Sequence, residues 1–227
     1  MKKMKALGAA LLAALLCFSL AACGGSGDLT ATEATTYVQG LLDRTFLGQF
    51  NEDYMDLVGT SKETMEEYYR DGLVTEAERF IYYYDLVDVD DDLKQEIVDF
   101  YEQLYKSSKY EVAPAAKLST GGFACEVTVY SIDLAGAMDD PTEELYNSIF
   151  GQYTNEEIQA MSDEDYAQLE VQWREGVVDL AYDALPNITN SETATYITVQ
   201  VKLDEEDDMW SLVDTDFDAV DSAIIAY

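Results

Sequence analysis

The sequence predicts an α+β fold with N-terminal helices, a mainly antiparallel four-stranded sheet, a helical region between its two strand pairs, and a short C-terminal helix. Two observations lead to this prediction. Apolar residues recur at helical spacing through 30–104 and again through 141–185. Apolar and polar residues alternate through much of 110–132 and 196–213, as they do on half-buried strands. Because helices and strands occupy separate stretches, we expect antiparallel pairing with the helices packed on the sheet.

Three helices are expected at the start of the domain. Thr30 and Thr60 are each followed three residues later by Glu, the pattern of a capping box, so the first two helices should begin there. Asp71-Gly72 is expected to break or kink the second helix. The third helix should begin at the acids 90–92, because negative charge stabilises a helix N-terminus.

The first strand pair is a predicted hairpin of 110–118 and 123–132, joined by a turn rich in Ser and Gly. Pro114 cannot donate a ladder hydrogen bond, so we expect its strand to lie at a sheet edge or to contain a bulge. The helical region that follows should open at Asp140-Pro141. Its later buried face should include Trp173.

The second strand pair has the clearest alternation in the chain. In 196–203 every second residue is apolar, which places one face of the strand inward and the other outward. The acidic turn 204–208 leads to a partner strand at 209–213. Apolar residues at helical spacing in 217–224 then predict the short C-terminal helix.

The charge balance excludes several classes of function. The 227 residues include 46 Asp+Glu and 13 Lys+Arg, a net charge of 13 − 46 = −33, and no His. Nucleic-acid binding is not expected, because it needs a basic surface. Without His the chain lacks the commonest general base and the usual nitrogen ligand of zinc. Acid-base chemistry would fall to carboxylates, Tyr or Lys.

The first residues have the order of an export signal. Lysines within residues 2–5 precede an apolar stretch, 6–20, that is shorter than the ~20 residues a spanning helix needs. The stretch ends in Leu20-Ala21-Ala22-Cys23, which resembles the lipobox of bacterial lipoproteins, with Leu at −3, small residues at −2 and −1, and Cys at +1. The resemblance implies cleavage between Ala22 and Cys23 and a diacylglyceryl thioether on Cys23.

The lipobox divides the chain into three parts. Residues 1–22 form the signal peptide, 23–29 the lipidated Cys and a flexible tether, and 30–227 a single extracytoplasmic α+β domain. Two acyl chains, at ~0.8 kcal/mol per buried CH₂, anchor a protein stably, whereas one chain binds reversibly. An ordinary cleaved secretory signal and an uncleaved N-terminal anchor are the alternatives.

The C-terminal part of the chain carries a second resemblance. The strand 196–203, its acidic turn and the Trp210 strand leading into a helix are similar to small uncharacterised lipoproteins of Gram-positive bacteria. Some of those have a fold like nuclear transport factor two, which implies a cone of curved antiparallel sheet against helices. The long helical region 141–185 does not belong to such a cone, so the resemblance supports sheet-on-helix packing more than any pocket location.

The acids between 88 and 99 allow two interpretations. Asp88, Asp90, Asp92, Glu96 and Asp99 occupy positions 1, 3, 5, 9 and 12 of an EF-hand-like calcium loop. Position 6 of that loop requires Gly but is Leu93 here, so a helix cap is the favoured interpretation. The acidic run 204–208 is likewise a solvated turn or a loose cation patch.

Two other features are candidates for chemistry. Tyr82-Tyr83-Tyr84 point in three directions on a helix, so at least one ring should be exposed, and exposed Tyr suits recognition of sugars or peptides. Packing at the core edge is the alternative for each ring. Cys125 has no His to activate it and is expected to be a buried structural thiol.

These observations predict a membrane-anchored extracytoplasmic lipoprotein that acts as a non-catalytic binding or interaction module. We assign no catalytic residue, metal site or cofactor. The expected partners are the lipid bilayer, through Cys23, and an envelope protein, peptide or glycan. A solute-capture lipoprotein for a transporter is the first alternative, and an enzyme using Asp and Tyr as acid and base is the second.

The anchor prediction is tested by Cys23→Ser. Without the thiol no thioether can form, so the variant should leave the membrane fraction or remain unprocessed, and should incorporate no radiolabelled acyl chain. Cys125→Ser is the control and should be lipidated like the wild type. Membrane retention of a processed Cys23→Ser protein would contradict the lipobox interpretation.

Overall fold

The predicted α+β class is confirmed by a computed structural model of the chain, which describes residues 29–204 and 209–226. The helices are α1 (Ala31–Leu42), α2 (Glu52–Val58), α3 (Lys62–Tyr83), α4 (Asp91–Tyr105), α5 (Leu134–Ile149), α6 (Asn155–Ala160), α7 (Asp163–Ala184) and α8 (Asp214–Ile224). The strands are β1 (Lys109–Val112), β2 (Ala116–Lys117), β3 (Phe123–Tyr130), β4 (Ile132–Asp133), β5 (Thr195–Asp204), β6 (Met209–Leu212) and β7 (Ile225–Ala226). The signal peptide, Cys23 and the turn 205–208 lie outside the described residues.

Backbone contacts group the chain into two units. The described residues of unit 1 are 29–72, 108–131, 191–204 and 209–225, which hold the main sheet, α1, α2 and α8. Those of unit 2 are 73–107, 132–190 and 226, which hold α4 to α7. Helix α3 contributes its first turns to unit 1 and its last turns to unit 2.

The sheet of unit 1 has the strand order β1-β3-β5-β6, with every pair antiparallel. Strands β3 and β5 form its centre, where Cys125 faces Val199. The side chains of β3 alternate as the sequence predicts, and so do those in the middle of β5. Leu203, which was predicted to face inward, is 39% exposed, because the end of β5 extends beyond the core. The buried residues of the two central strands are Phe123, Cys125, Val127, Val129, Val199 and Val201.

Pro114 has the effect expected of it. Strands β1 and β2, on either side of Pro114, both pair with β3, and β1 is at the end of the strand order. Val112 faces Val127 and Ala116 faces Ala124, so four steps along one strand oppose three along the other. The extra residue is a bulge, and the strand lies at the sheet edge.

The helices of unit 1 are divided more finely than the sequence predicts. The Thr30 capping box is present and starts α1. A π-helical segment, Asp43–Leu47, follows α1 and ends at Gly48, whose φ is 60°. Helix α2 was not predicted, although Asn51 caps it by accepting a hydrogen bond of 2.8 Å from the Asp53 N–H. Short helices such as this one have too few periodic positions to be recognised from spacing.

Two helix starts and one break differ from the prediction. Helix α3 is capped by Ser61 and not by Thr60, since the Thr64 N–H donates to the Ser61 hydroxyl at 3.3 Å. The helix continues through Asp71-Gly72, because one helical Gly costs only ~1 kcal/mol relative to Ala. Helix α5 begins at Leu134 with Asp133 as its cap, well before the expected start at Asp140-Pro141. Pro141 therefore lies inside the helix, where it removes one backbone hydrogen bond.

The core of unit 2 is built from aromatic rings. Phe80 of α3 contacts Phe100 and Tyr101 of α4, with ring centroids 5.9 and 6.1 Å away. The Tyr182 hydroxyl of α7 donates a 2.8 Å hydrogen bond to the Glu96 carbonyl oxygen of α4. The Lys94 ammonium of α4 also forms an ion pair of 2.8 Å with Glu78 of α3. Helices α3, α4 and α7 are thus held together by rings and by polar contacts at the surface.

Two glycines make a matched test of the packing in unit 1. A Cβ on Gly40 of α1 would overlap the ring of Tyr54 on α2, whereas a Cβ on Gly72 of α3 would meet nothing within 4 Å. Gly40→Ala should lower the free energy of unfolding by about 1–3 kcal/mol through overpacking. Gly72→Ala should raise it by about 0.5–1 kcal/mol through helix propensity. Urea unfolding of the full chain measures both, and equal effects would contradict the α1–α2 packing described here.

Candidate functional site

Helices α5 and α7 of unit 2 pack closely together. The pair carries two surface features at different positions along its length, an aromatic cluster and a cavity. A Cβ on Gly176 of α7 would lie 2.9 Å from Cδ2 of Leu145 on α5, so the helices are in close contact there. Both starts are capped: Asp133 accepts from the Gly136 N–H at 2.9 Å, and Ser162 accepts from the Asp165 N–H at 3.1 Å. The two helices are therefore packed closely together, and each has a capped N-terminus.

An aromatic cluster of Tyr146, Phe150 and Trp173 lies on one side of the Gly176 contact. The ring centroids are 5.1 Å apart for Tyr146 and Phe150, 5.8 Å for Tyr146 and Trp173, and 6.3 Å for Phe150 and Trp173. The rings of Tyr146 and Trp173 are nearly perpendicular, at 87°. Edge-to-face contacts of this kind fix ring orientation. Tyr146 remains 51% exposed, so the cluster is ordered and accessible.

The end of α3 holds the indole of the cluster in place. The Trp173 Nε1–H donates a 2.9 Å hydrogen bond to the Tyr84 carbonyl oxygen. Burial raises the pKa of the Tyr84 hydroxyl, and the neighbouring Tyr83 and Asp139 raise it further. Tyr84 is buried while Tyr82 and Tyr83 are 61% and 54% exposed, which confirms the expectation of an exposed ring.

The helices that carry the cluster are strongly acidic. Residues 132–190 contain 14 Asp+Glu and one basic residue, Arg174, a net charge of 1 − 14 = −13. An Arg174 Nη1–H donates to the Val87 carbonyl oxygen at 3.4 Å. The exposed acids of α5 and α7 are Asp139, Asp140, Glu143, Glu144, Asp163, Glu164, Asp165, Glu175, Asp179 and Asp183.

A cavity of about 380 Å³ lies beyond the Gly176 contact, at the start of α5 and the end of α7. This volume falls in the range of small-molecule sites in proteins. Its lining residues are Asp133, Gly136, Ala137, Pro141, Leu180, Asp183, Ala184, Asn187 and Thr189. The lining holds two carboxylates and no Lys or Arg.

Unit 1 contains an Asp and a Tyr in direct contact, as an Asp/Tyr enzyme would need. The Tyr110 hydroxyl donates to Oδ1 of Asp43 at 2.7 Å, and the Gln39 side-chain amide donates to the same oxygen at 2.7 Å. Burial, followed by the bond to Asp43, raises the pKa of Tyr110. The Tyr110 proton is thus held in a bond that ties β1 to the π-helical segment, which is a structural role.

Cys125 is the buried thiol that the sequence predicts. It lies on β3 with 4% of its surface exposed. Burial raises the pKa of the thiol to about 11, so it is protonated and unreactive at neutral pH.

Among the acids between 88 and 99, Asp90 caps helix α4, and Asp91 and Asp92 lie in its first turn. Oδ1 of Asp90 accepts a 2.8 Å hydrogen bond from the Leu93 N–H, and Oδ1 of Asp99 accepts one of 2.8 Å from the Gln95 side chain. Over the described ranges, 29–204 and 209–226, there is no group of three or more acidic or Cys residues suited to holding a metal ion.

The sequence predicted neither surface of the α5–α7 pair. Trp173 was expected on a buried face, and its ring is half-buried beside Tyr146 and Phe150. The spacing of Tyr146 and Phe150, four residues apart on one helix, is the local signal that could have indicated the cluster. The cavity has no such signal, because its lining comes from separate segments of the chain.

Comparisons with known proteins concern the fold. No protein-family profile matches the chain. No curated protein matches it either. The chain is similar to the crystal structure of a candidate lipoprotein, YcdA, from Bacillus subtilis, with a TM-score of 0.59, 17% identity, and coverage of 87% of this chain and 57% of that one. The chain thus spans 57% of the length of that structure. In the part of the chain that the structure describes, no helix is both long and apolar enough to cross a membrane.

Substitution of Asp90 separates capping from calcium binding. Asp90→Ala removes the acceptor for the Leu93 N–H and should lower the free energy of unfolding by about 1 kcal/mol, equally in calcium and in chelator. Asp90→Asn retains an acceptor and should have little effect. Urea unfolding in both conditions measures this, and a calcium-dependent gain in stability that only the wild type shows would contradict the cap.

Proposed function

We propose that this chain is a lipid-anchored extracytoplasmic protein whose role is binding, and that the aromatic cluster takes a basic segment of a partner protein. The lipobox at Cys23 supports the anchor. The likeness in fold to a candidate lipoprotein agrees with an extracytoplasmic location. The proposed binding role rests on the aromatic cluster of Tyr146, Phe150 and Trp173.

The observation that carries the proposal is the fixed arrangement of the three rings, in which Tyr146 is exposed and Phe150 and Trp173 are half-buried. A surface ring usually loses side-chain conformational entropy when it binds a partner. The Trp173 indole is already held by the Tyr84 carbonyl and by two ring contacts, so this loss is smaller. Aromatic residues with fixed orientation are the residue types that dominate binding energy at interfaces. The cluster is therefore preorganised for contact.

Charge determines what the partner must be. Glu143 and Glu170 precede Tyr146 and Trp173 by three residues, one helical turn, so each carboxylate neighbours a ring of the cluster. Lys and Arg side chains bind favourably over aromatic faces and to carboxylates. An acidic or uncharged partner would meet a net charge of −13 over 132–190 without compensation. A Lys- and Arg-rich segment fits both features.

The chain supplies its own reporter for a binding test. It contains two Trp residues, so Trp210→Phe leaves Trp173 as the single indole. In the full chain in detergent micelles, a Lys/Arg peptide should change Trp173 fluorescence with a saturable curve, and the affinity should fall as salt rises. Tyr146→Ala should weaken binding at least tenfold, about 1.4 kcal/mol.

The matched control is Tyr196→Ala, which removes a 67% exposed Tyr from the sheet of unit 1 and should leave the affinity unchanged. Equal binding of an acidic peptide of the same length, or unchanged affinity in Tyr146→Ala, would reject the proposal. A response to an uncharged envelope glycan in place of the basic peptide would also reject it.

A further inference from the structure

The cavity at the start of α5 and the end of α7 offers mainly hydrogen-bond acceptors. Asp133 and Asp183 contribute carboxylates, and Asn187 and Thr189 add polar groups that can accept. No Lys or Arg is among the nine lining residues. A ligand that donates hydrogen bonds and carries positive charge is therefore favoured over an anion.

A proline of α5 lies in the wall of the cavity. Pro141 has no N–H, so it cannot donate the helical hydrogen bond to the Ala137 carbonyl four residues earlier. Both residues line the cavity. The irregular part of α5 is therefore the part that contributes to the cavity wall.

The position of Asp133 is set by its surroundings. Its N–H donates to the Thr189 carbonyl oxygen at 3.0 Å, which joins the loop after α7 to the start of α5. Its Oδ1 caps α5 through the Gly136 N–H. A Cβ on Gly136 would come within 2.5 Å of Oδ2 and 2.7 Å of Oδ1, so glycine leaves the carboxylate its space. The group is fixed before any ligand arrives.

The remaining wall is hydrocarbon, from Ala137, Pro141, Leu180 and Ala184. A bare metal ion gains nothing from a hydrocarbon wall. Calcium, for example, prefers six or more oxygen ligands. We propose that the cavity binds a small alkylammonium ion, its ammonium group held by Asp133 and Asp183 and its hydrocarbon chain against Pro141 and Leu180. This inference does not depend on the aromatic cluster.

An ammonium group could belong to a free amine or to a Lys side chain of a bound protein, and both present the same chemistry. Titration calorimetry of the full chain with n-butylammonium chloride tests the free amine, and a Lys-containing peptide tests the other source. Two control compounds have the same chain length as butylammonium: sodium butyrate, which supplies an anion, and butanol, which is uncharged. Butylammonium should give a saturable heat, and the other two compounds should give none.

Variants that retain the fold give the sharper result. Asp133→Asn keeps a cap for α5 but removes the charge, and Asp183→Asn removes the second carboxylate. Each should weaken butylammonium binding at least tenfold. Asp179→Asn, an exposed acid of α7 outside the lining, is the control and should bind within twofold of the wild type. Thermal unfolding establishes that each variant is folded.

Three outcomes would overturn the inference. Butanol binding as well as butylammonium would show a purely apolar cavity. Unchanged affinity in both Asp133→Asn and Asp183→Asn would place the amine elsewhere. Binding of the Lys peptide that depends on Asp183, with no heat from the free amine, would assign the cavity to a partner side chain and not to a small molecule.

Discussion

The close approach of α7 to α5 at Gly176 is the contact on which both surfaces of unit 2 depend. Because residue 176 has no side chain, Leu145 fits directly against the backbone of α7. On one side of this contact Tyr146 and Phe150 meet Trp173, and on the other side the two helices line an open cavity of about 380 Å³. The two candidate sites, which differ in character, thus lie on either side of a single packing contact.

The excess of acids imposes a second constraint, because most carboxylates must stay in water. The described part of the chain meets it by building its cores from Leu, Val and Ile together with Tyr and Phe, and by using acids at helix starts. Asp90 and Asp133 cap α4 and α5, where their charge also suits the helix dipole. Glu76 is the acidic residue among the buried polar side chains, and its Oε1 lies 2.7 Å from an Arg79 guanidinium nitrogen. Of the acids on α5 and α7, Glu143 and Glu170 lie one turn before rings of the cluster, and Asp183 lines the cavity.

The features that were predicted correctly are those that a short stretch of sequence determines by itself. Alternation identified the central strand 196–203, a missing N–H located the bulge at Pro114, and side-chain acceptors identified the start of α1. Prediction failed where a local preference competes with packing. Pro141 has the signature of a helix start, yet α5 already begins at Leu134 and includes the proline.

The sites lie beyond local signals for the same reason. Trp173 and Tyr146 are 27 positions apart in the chain, and only the packing of α5 on α7 brings their rings together. The cavity needs the start of α5, the end of α7 and the segment to Thr189 to meet. Periodicity reports which face of one helix is apolar, but it does not report which two helices will pack. The proposed anchor at Cys23 is the opposite case, because it is inferred from four consecutive residues, 20–23.

A cationic partner that binds to the α5–α7 pair of unit 2 should protect the backbone of these two helices from exchange. Hydrogen-deuterium exchange of the full chain, with and without a Lys/Arg peptide at saturating concentration, measures this protection. We expect slower exchange within Leu134–Ile149 and Asp163–Ala184, and unchanged exchange in the strands Phe123–Tyr130 and Thr195–Asp204. Slower exchange confined to those strands, with none in α5 or α7, would contradict binding to this pair of helices.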